Sequence, residues 1–197
     1  ADVEIISIGI VRISIITLIF SYGTLFTCIL LVQQVFDQFF GLAGSFPGWF
    51  AVIAALSASA SFLNSMLVMK LGMRRLISAA LSVQVFLSFL MLLMFYGGII
   101  SGGLGFGFFA FWVFSLFFQA GLTLGNLTAL AMEPLGHIAG TAASVISAIG
   151  TLGAAVLATV AGHFFSGTPL AMIISILLFA FLGALSAHRL KKFDRST

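Results

Sequence analysis

Long apolar stretches separated by short polar connections dominate the pattern of this 197-residue sequence. A transmembrane helix needs about 20 mainly apolar residues to cross roughly 30 Å of hydrocarbon. Six stretches satisfy this, at residues 13–35, 49–69, 76–96, 106–132, 138–165 and 170–187. The stretches are continuous, whereas the strands of a membrane β-barrel alternate between apolar and polar residues. The pattern therefore predicts an all-α membrane protein with six transmembrane helices.

The composition excludes the other broad classes. Apolar residues make up 61% of the chain and charged residues only 7%, whereas an ordinary soluble domain is about 25% charged. A soluble domain and a disordered chain are both excluded, and a single cysteine excludes a disulfide scaffold. We expect a lipid bilayer as the first partner, and no nucleic acid.

The basic residues lie on one side of the predicted bundle. Arg12 precedes the first segment, Lys70, Arg74 and Arg75 lie between the second and third, and four more follow the sixth: Arg189, Lys191, Lys192 and Arg195. The positive-inside rule places this side, with both termini, in the cytoplasm. We expect a multi-pass protein of the bacterial inner membrane. Its parts are a cytoplasmic linker remnant (1–12), the six-helix bundle (13–187) and a basic cytoplasmic tail (188–197).

Polar stripes run along the first and fourth segments. In the fourth, one helical face carries Trp112, Ser115, Gln119, Thr123, Asn126 and Glu133. In the first, one face carries Thr17, Ser21, Thr24, Cys28, Gln34 and Gln38, and another face carries Tyr22, Phe26 and Gln33. Two interpretations stay open, because the stripes are explained either by hydrogen bonds between helices or by the lining of a substrate pathway. The candidate pathway residues are Tyr22, Phe26, Gln33, Gln34, Trp112, Gln119, Thr123 and Asn126.

The order of segment types suggests an internal repeat. The first and fourth segments are polar in the middle, the second and fifth are rich in small residues, and the third and sixth are mostly plain apolar. A period of three helices is typical of the 3+3 repeats of secondary transporters.

The residues offer little catalytic chemistry. No Asp, Glu, Lys or Arg lies in the middle of a segment, and the histidines and the cysteine do not form a metal-ligand pattern. We expect neither an enzyme nor a bound cofactor or metal ion.

Two motifs resemble the major facilitator superfamily. The sequence from Lys70 to Arg75, with Gly72 and Arg74 between them, looks like the family's cytoplasmic gating loop between helices eight and nine. The second motif resembles the helix ten to eleven junction of the Bcr/CflA drug:proton antiporters, and its residues include Glu133, Pro134, Gly136, His137, Gly140 and Thr141. The loop at residues 45–50 is similar to the one that enters helix eight in those proteins.

This resemblance implies the C-terminal six-helix half of a twelve-helix transporter. It further implies export of drugs or small metabolites by proton antiport, with an N-terminal six-helix half, a small amphipathic substrate and protons as partners. The sequence starts without Met, and we expect a fragment of a longer chain. The alternatives are an importer of sugars, osmolytes or peptides on the same fold, and a six-helix scaffold protein that transports nothing.

Overall fold

The computed structural model describes residues 2–191, with side chains described for residues 9–136, 138 and 140–191. Lys192 and Arg195 of the predicted tail lie outside the described residues. The helices are α1 (Asp2–Gln38), α2 (Phe46–Ser57), α3 (Ser59–Leu71), α4 (Met73–Tyr96), α5 (Gly103–Met132), α6 (Ala139–His163) and α7 (Leu170–Leu190). Short 3₁₀ segments cover Ala43–Ser45 and Glu133–Ile138. The described part of the chain contains no strand.

The six predicted membrane-spanning segments are confirmed as helices of sufficient length and apolarity. They cover Gly9–Gln38, Ala43–Leu71, Met73–Tyr96, Gly103–Gly136, Gly140–His163 and Leu170–Leu190. The helices extend beyond the predicted bounds at both ends of the chain. Residues 1–12, expected as a linker remnant, are helical from Asp2, and α7 continues to Leu190. The apolar stretch of a sequence marks only the part of a helix that crosses the hydrocarbon of a membrane. The helix itself can continue beyond that stretch at both ends.

The second span is broken at Ala58, where α2 ends and α3 begins. The hydroxyls on either side bond to the backbone of the preceding turn. Ser57 Oγ donates to the carbonyl of Ile53 at 2.7 Å, and Ser59 Oγ donates to that of Leu56 at 2.6 Å. Serine side chains that bond to backbone carbonyls of the preceding turn compete with the helical backbone hydrogen bonds, and they often bend helices.

The helices pack as two interlocked units of three spans. Helix α1 packs against α5, α6 and α7, whereas α5 packs against α1, against α2 and α3, and against α4. Exchanging the first three spans with the last three reproduces most of this packing; the contact between α5 and α6 is the exception, since α1 has no comparable contact with α2 or α3. In this exchange α1 matches α5, the broken span matches α6, and α4 matches α7. Such a correspondence is the one expected from a repeat of three spans.

Two close helix approaches occupy matching places in this pattern. A Cβ atom added to Gly121 of α5 would lie 2.7 Å from the Cβ of Ala60 in α3. One added to Gly153 of α6 would lie 2.9 Å from Ile19 Cγ2 in α1. In a membrane, lipid tails remove the hydrophobic drive for association, so close packing of small residues holds helices together.

Two apolar clusters fill the two ends of the bundle. One contains Leu18, Ile77, Leu81, Leu127 and Leu190, and the other contains Phe36, Met91, Phe109, Val113 and Ile173. Along α1, α4 and α5, the stretch between the two clusters carries buried polar residues instead. The fold thus places a polar layer at mid-height.

Candidate functional site

The centre of the polar layer is a hydrogen-bond network between α1 and α5. Gln119 Nε2 donates to Ser21 Oγ at 3.0 Å and to Thr123 Oγ1 at 2.8 Å. The two hydroxyls of Ser21 and Thr123 are themselves 2.8 Å apart, and Thr24 Oγ1 lies 3.4 Å from Gln119 Oε1. Gln119 is only 3% exposed, so these partners replace water around its amide.

A second group of polar side chains joins α4 to α5. Trp112 Nε1 donates to Ser88 Oγ at 3.0 Å, and Gln84 Nε2 donates to the same oxygen at 3.3 Å. Ser115 Oγ donates to Gln84 Oε1 at 3.3 Å. Both Gln84 and Ser88 lie in the third segment, which is mostly apolar in sequence, and neither was among the predicted site residues. Their spacing of four residues, which places them on one helix face, was the available signal.

A third contact joins α3 to α5. Asn126 Nδ2 donates to Asn64 Oδ1 at 2.7 Å and to the carbonyl of Leu122 at 2.8 Å. The stripe from Trp112 to Asn126 therefore lies along one buried face of α5, as the spacing predicted. Each of its members bonds to another helix. These are the contacts that the helix-packing interpretation predicts. The role of the stripe in lining a substrate pathway stays a prediction.

The other candidates on α1 lie away from this network. Tyr22 and Phe26 are half-buried, and their ring centroids are 5.7 Å apart. Phe26 borders an open groove of about 330 Å³ between α1 and α6. Gln33 is exposed, and Gln34 Nε2 donates to the carbonyl of Leu30 within its own helix at 3.2 Å. The two aromatic rings thus give α1 an accessible face beside α6.

The structure brings the two family-like motifs together at the end of the bundle that carries the basic residues. Arg74 Nη2 lies 3.4 Å from Glu133 Oε2. The side chain of Arg74 is 16% exposed and that of Glu133 is 56% exposed. An ion pair this open to solvent contributes only about 0–1 kcal/mol. The pair can therefore form and break at little cost.

The loop between α3 and α4 is a single residue, Gly72. Its φ of +78° is one that residues with a side chain rarely adopt, which explains glycine at this place. Lys70 and Arg75 flank the loop and are exposed. Both basic side chains therefore face outwards from the tight turn.

The junction between α5 and α6 is irregular. It contains Pro134 and Gly136, and the non-helical angles of Leu135 (φ −109°, ψ 21°) interrupt it. Gly140 and Thr141 begin α6 and are exposed, and the side chain of His137 lies outside the described residues. The junction motif therefore forms the bend that turns the chain back into the bundle.

The members of the polar layer named above are hydroxyls, amides and an indole. Such groups hold helices in register and can form hydrogen bonds with a neutral ligand, but they do not take up and release protons at ordinary pH. A comparison with protein-family models, with curated proteins and with solved structures finds no match to the chain.

Proposed function

We propose that this chain is one six-helix half of a major facilitator superfamily transporter, which exports drugs or small metabolites by proton antiport. The observation that carries the proposal is the exchangeable packing of the two three-span units around the α1–α5 pair. Secondary transporters use such repeats because two related arrangements of one unit expose the site to either side in turn. In our proposal the polar layer between α1 and α5 lies near the middle of the membrane, where secondary transporters hold their substrates.

The contact between the two motifs supports the same proposal. Arg74 follows the α3–α4 turn and Glu133 ends α5, so their ion pair ties two helix ends together. A transporter must change the relative positions of its helices in each cycle. A weak, half-exposed pair suits that need, since it favours one arrangement without fixing it.

The substrate-facing surface of this half is the aromatic face of α1 in our proposal. Tyr22 and Phe26 offer two rings beside the α1–α6 groove, which suits a flat, amphipathic molecule. Gln119 and Thr123 lie one layer behind and set the distance between α1 and α5. The substrate thus contacts the rings first and reaches the amides only when the two helices separate.

The least buried spans are the broken second span and α6. Both present large apolar side chains outwards, including Leu56 and Phe62 on one, and Leu152 and Val156 on the other. The two spans occupy matching places in the repeat. We propose that these two faces pack against the N-terminal six-helix half of the same transporter.

The test of function is efflux of ethidium from drug-hypersensitive bacteria. This chain is produced alone, and also together with an N-terminal half from a Bcr/CflA-type antiporter. Efflux that appears only with both halves and stops when the proton gradient is dissipated supports the proposal. A correctly inserted pair of halves that binds together but moves neither ethidium nor a panel of drugs contradicts export.

The orientation is tested separately. A fluorescent protein fused after Thr197 folds only in the cytoplasm, and alkaline phosphatase inserted at Gly102 is active only on the outer side. We expect fluorescence from the first fusion and activity from the second, because Lys70, Arg74 and Arg75 lie at the end of the bundle where α7 ends. The opposite pair of results contradicts a cytoplasmic location of the termini.

A further inference from the structure

A second cavity lies between α3, α4 and α5, and its floor includes Gln84, Ser115 and Gln119 of the polar layer. Its volume is about 410 Å³, and almost all of its lining is apolar, with Leu67 from α3, Ala79 from α4 and Phe118 from α5. Val83 and Phe111 also line it and are exposed, so the cavity is a groove open to the surroundings of the bundle. In a membrane those surroundings are lipid.

The groove exists because α3 packs mainly against α5, α4 packs against α7 and α5, and α3 and α4 make few contacts with each other, although one residue connects them. The polar atoms at its floor are already bonded. Gln84 is paired with Ser115 and Ser88, and Gln119 is paired with residues of α1. A polar ligand would find few free partners there, whereas a hydrocarbon chain needs none.

The length of the groove matches one leaflet of a bilayer. Along α4 the lining residues run from Leu76 to Leu87. At 1.5 Å per residue this is about 16 Å, close to half of the roughly 30 Å hydrocarbon core. The groove is therefore the right length for an acyl chain that enters from the end of the bundle where α3 meets α4.

That end carries the basic residues. A smaller cavity of about 200 Å³ adjoins the groove at Leu71, and its lining includes Arg74, Arg75 and Glu133. Glu133 offsets the charge of Arg74, and no carboxylate of the described residues pairs with Lys70 or Arg75. Arg75 lines this smaller cavity and the exposed Lys70 directly precedes Leu71, so the mouth of the groove is positively charged. In a membrane it would face the anionic headgroups of the cytoplasmic leaflet.

We propose that the α3–α4–α5 groove binds an acyl chain of an anionic phospholipid whose phosphate contacts Lys70 and Arg75. The site goes beyond the proposed transport function and does not depend on it. Basic pockets between transmembrane helices on the cytoplasmic side bind such headgroups through charge, and apolar grooves hold the attached chains. The bound lipid fills the space between α3 and α4 and holds the turn at Gly72 against the membrane surface.

The test is lipid binding to the purified, delipidated chain, measured by native mass spectrometry. Dioleoyl phosphatidylglycerol is compared with dioleoyl phosphatidylcholine, which has the same chains and no net charge. Each basic residue near the headgroups contributes about 1 kcal/mol, so a Lys70→Gln/Arg75→Gln variant should lose about fivefold in phosphatidylglycerol affinity per charge. Its affinity for phosphatidylcholine should not change.

Two further variants make the test specific. Arg189→Gln removes an exposed cation from the end of α7, which lies beside the start of α4 through the Ser78–His188 contact of 3.1 Å. This control should keep full preference for phosphatidylglycerol. Ala79→Phe places a ring in the groove from an exposed position and should abolish binding of both lipids.

Three results would overturn the proposal. The first is an unchanged ratio of the two lipid affinities in the Lys70→Gln/Arg75→Gln variant. The second is an equal loss in Arg189→Gln, which would mean that any surface charge has the same effect. The third is displacement of phosphatidylglycerol by millimolar glycerol 3-phosphate, which would make a free phosphate the occupant.

Discussion

Arg74 Nη2 lies 3.4 Å from Glu133 Oε2, at the end of the bundle where α3 meets α4 and α5 meets α6. The two residues are far apart in the sequence and belong to the two separate motifs. Their contact makes the turn at Gly72 and the bend after α5 one connected surface. A movement of the end of α5 against the start of α4 must change the length of this contact.

Removing the charge of Glu133 tests how much that contact stabilises the bundle. Glu133→Gln should lower the free energy of unfolding by no more than about 1 kcal/mol, because the carboxylate is more than half exposed. The measurement is unfolding of the protein in mild detergent. Asp37→Asn, an exposed carboxylate at the other end of the bundle, is the control and should have no effect. A loss above about 3 kcal/mol would assign the pair the role of a buried ion pair instead.

The close approach of α3 and α5 predicts opposite effects for two neighbouring glycines. Gly121→Ala adds a methyl group 2.7 Å from the Cβ of Ala60 and should destabilise the bundle by about 1–3 kcal/mol through overpacking. Gly125→Ala, one turn further along α5, meets no atom within 4 Å. Alanine is the better helix former, so this control should be neutral or stabilising by up to about 1 kcal/mol. Equal melting temperatures for the two variants would contradict the close packing.

The sequence predicted the spans and the buried face of α5 because both depend only on local sequence, the spans on apolar length and the face on spacing. Apolar stretches and steps of three or four residues are local properties, and Gln119, Thr123 and Asn126 lie on the predicted face. The partners of these residues could not be predicted in the same way. Gln84 and Ser88 are surrounded by apolar residues in the sequence. A few polar residues in an apolar segment do not reveal which residues of another helix they contact.

The choice between packing and pathway was also beyond the sequence. A buried amide gives the same periodicity in both cases, and only the position of Ser21 against Gln119 shows that a hydrogen bond is available. The break at Ala58 was missed for a related reason. Serine is common in membrane helices, and its presence at positions 57 and 59 does not show whether the hydroxyls bond to carbonyls of the preceding turn, as they do here.

The α1–α5 network predicts a modest stability effect for Gln119. Gln119→Leu keeps the side-chain volume and removes the interhelical bonds to Ser21 and Thr24, which should cost about 1 kcal/mol at roughly 0.6 kcal/mol per bond. Gln33→Leu replaces an exposed glutamine of α1 and serves as the matched control. In a double-mutant cycle with Ser21→Ala, Gln119→Leu should show a coupling energy near 0.6 kcal/mol. A coupling energy of zero would mean that this bond does not hold α1 to α5.

The accessible face of α1 predicts where water reaches the chain. A thiol reacts as the thiolate, which forms in contact with water and not in lipid or in a packed interior. In a Cys28→Ala background, Phe26→Cys should react with a small water-soluble maleimide if the α1–α6 groove lines a pathway. Thr27→Cys, one residue further along and fully buried, should not react.

This labelling experiment separates the substrate pathway from a surface that faces lipid. Gln33→Cys is the positive control, because Gln33 is exposed near the end of α1. The measurement is made on the chain produced together with an N-terminal half, with and without ethidium. Slower labelling at position 26 in the presence of ethidium places the substrate beside the aromatic pair. Labelling at position 26 that is no faster than at position 27, while position 33 reacts, would mean that Phe26 faces lipid, and the pathway assignment of Tyr22 and Phe26 would then be wrong.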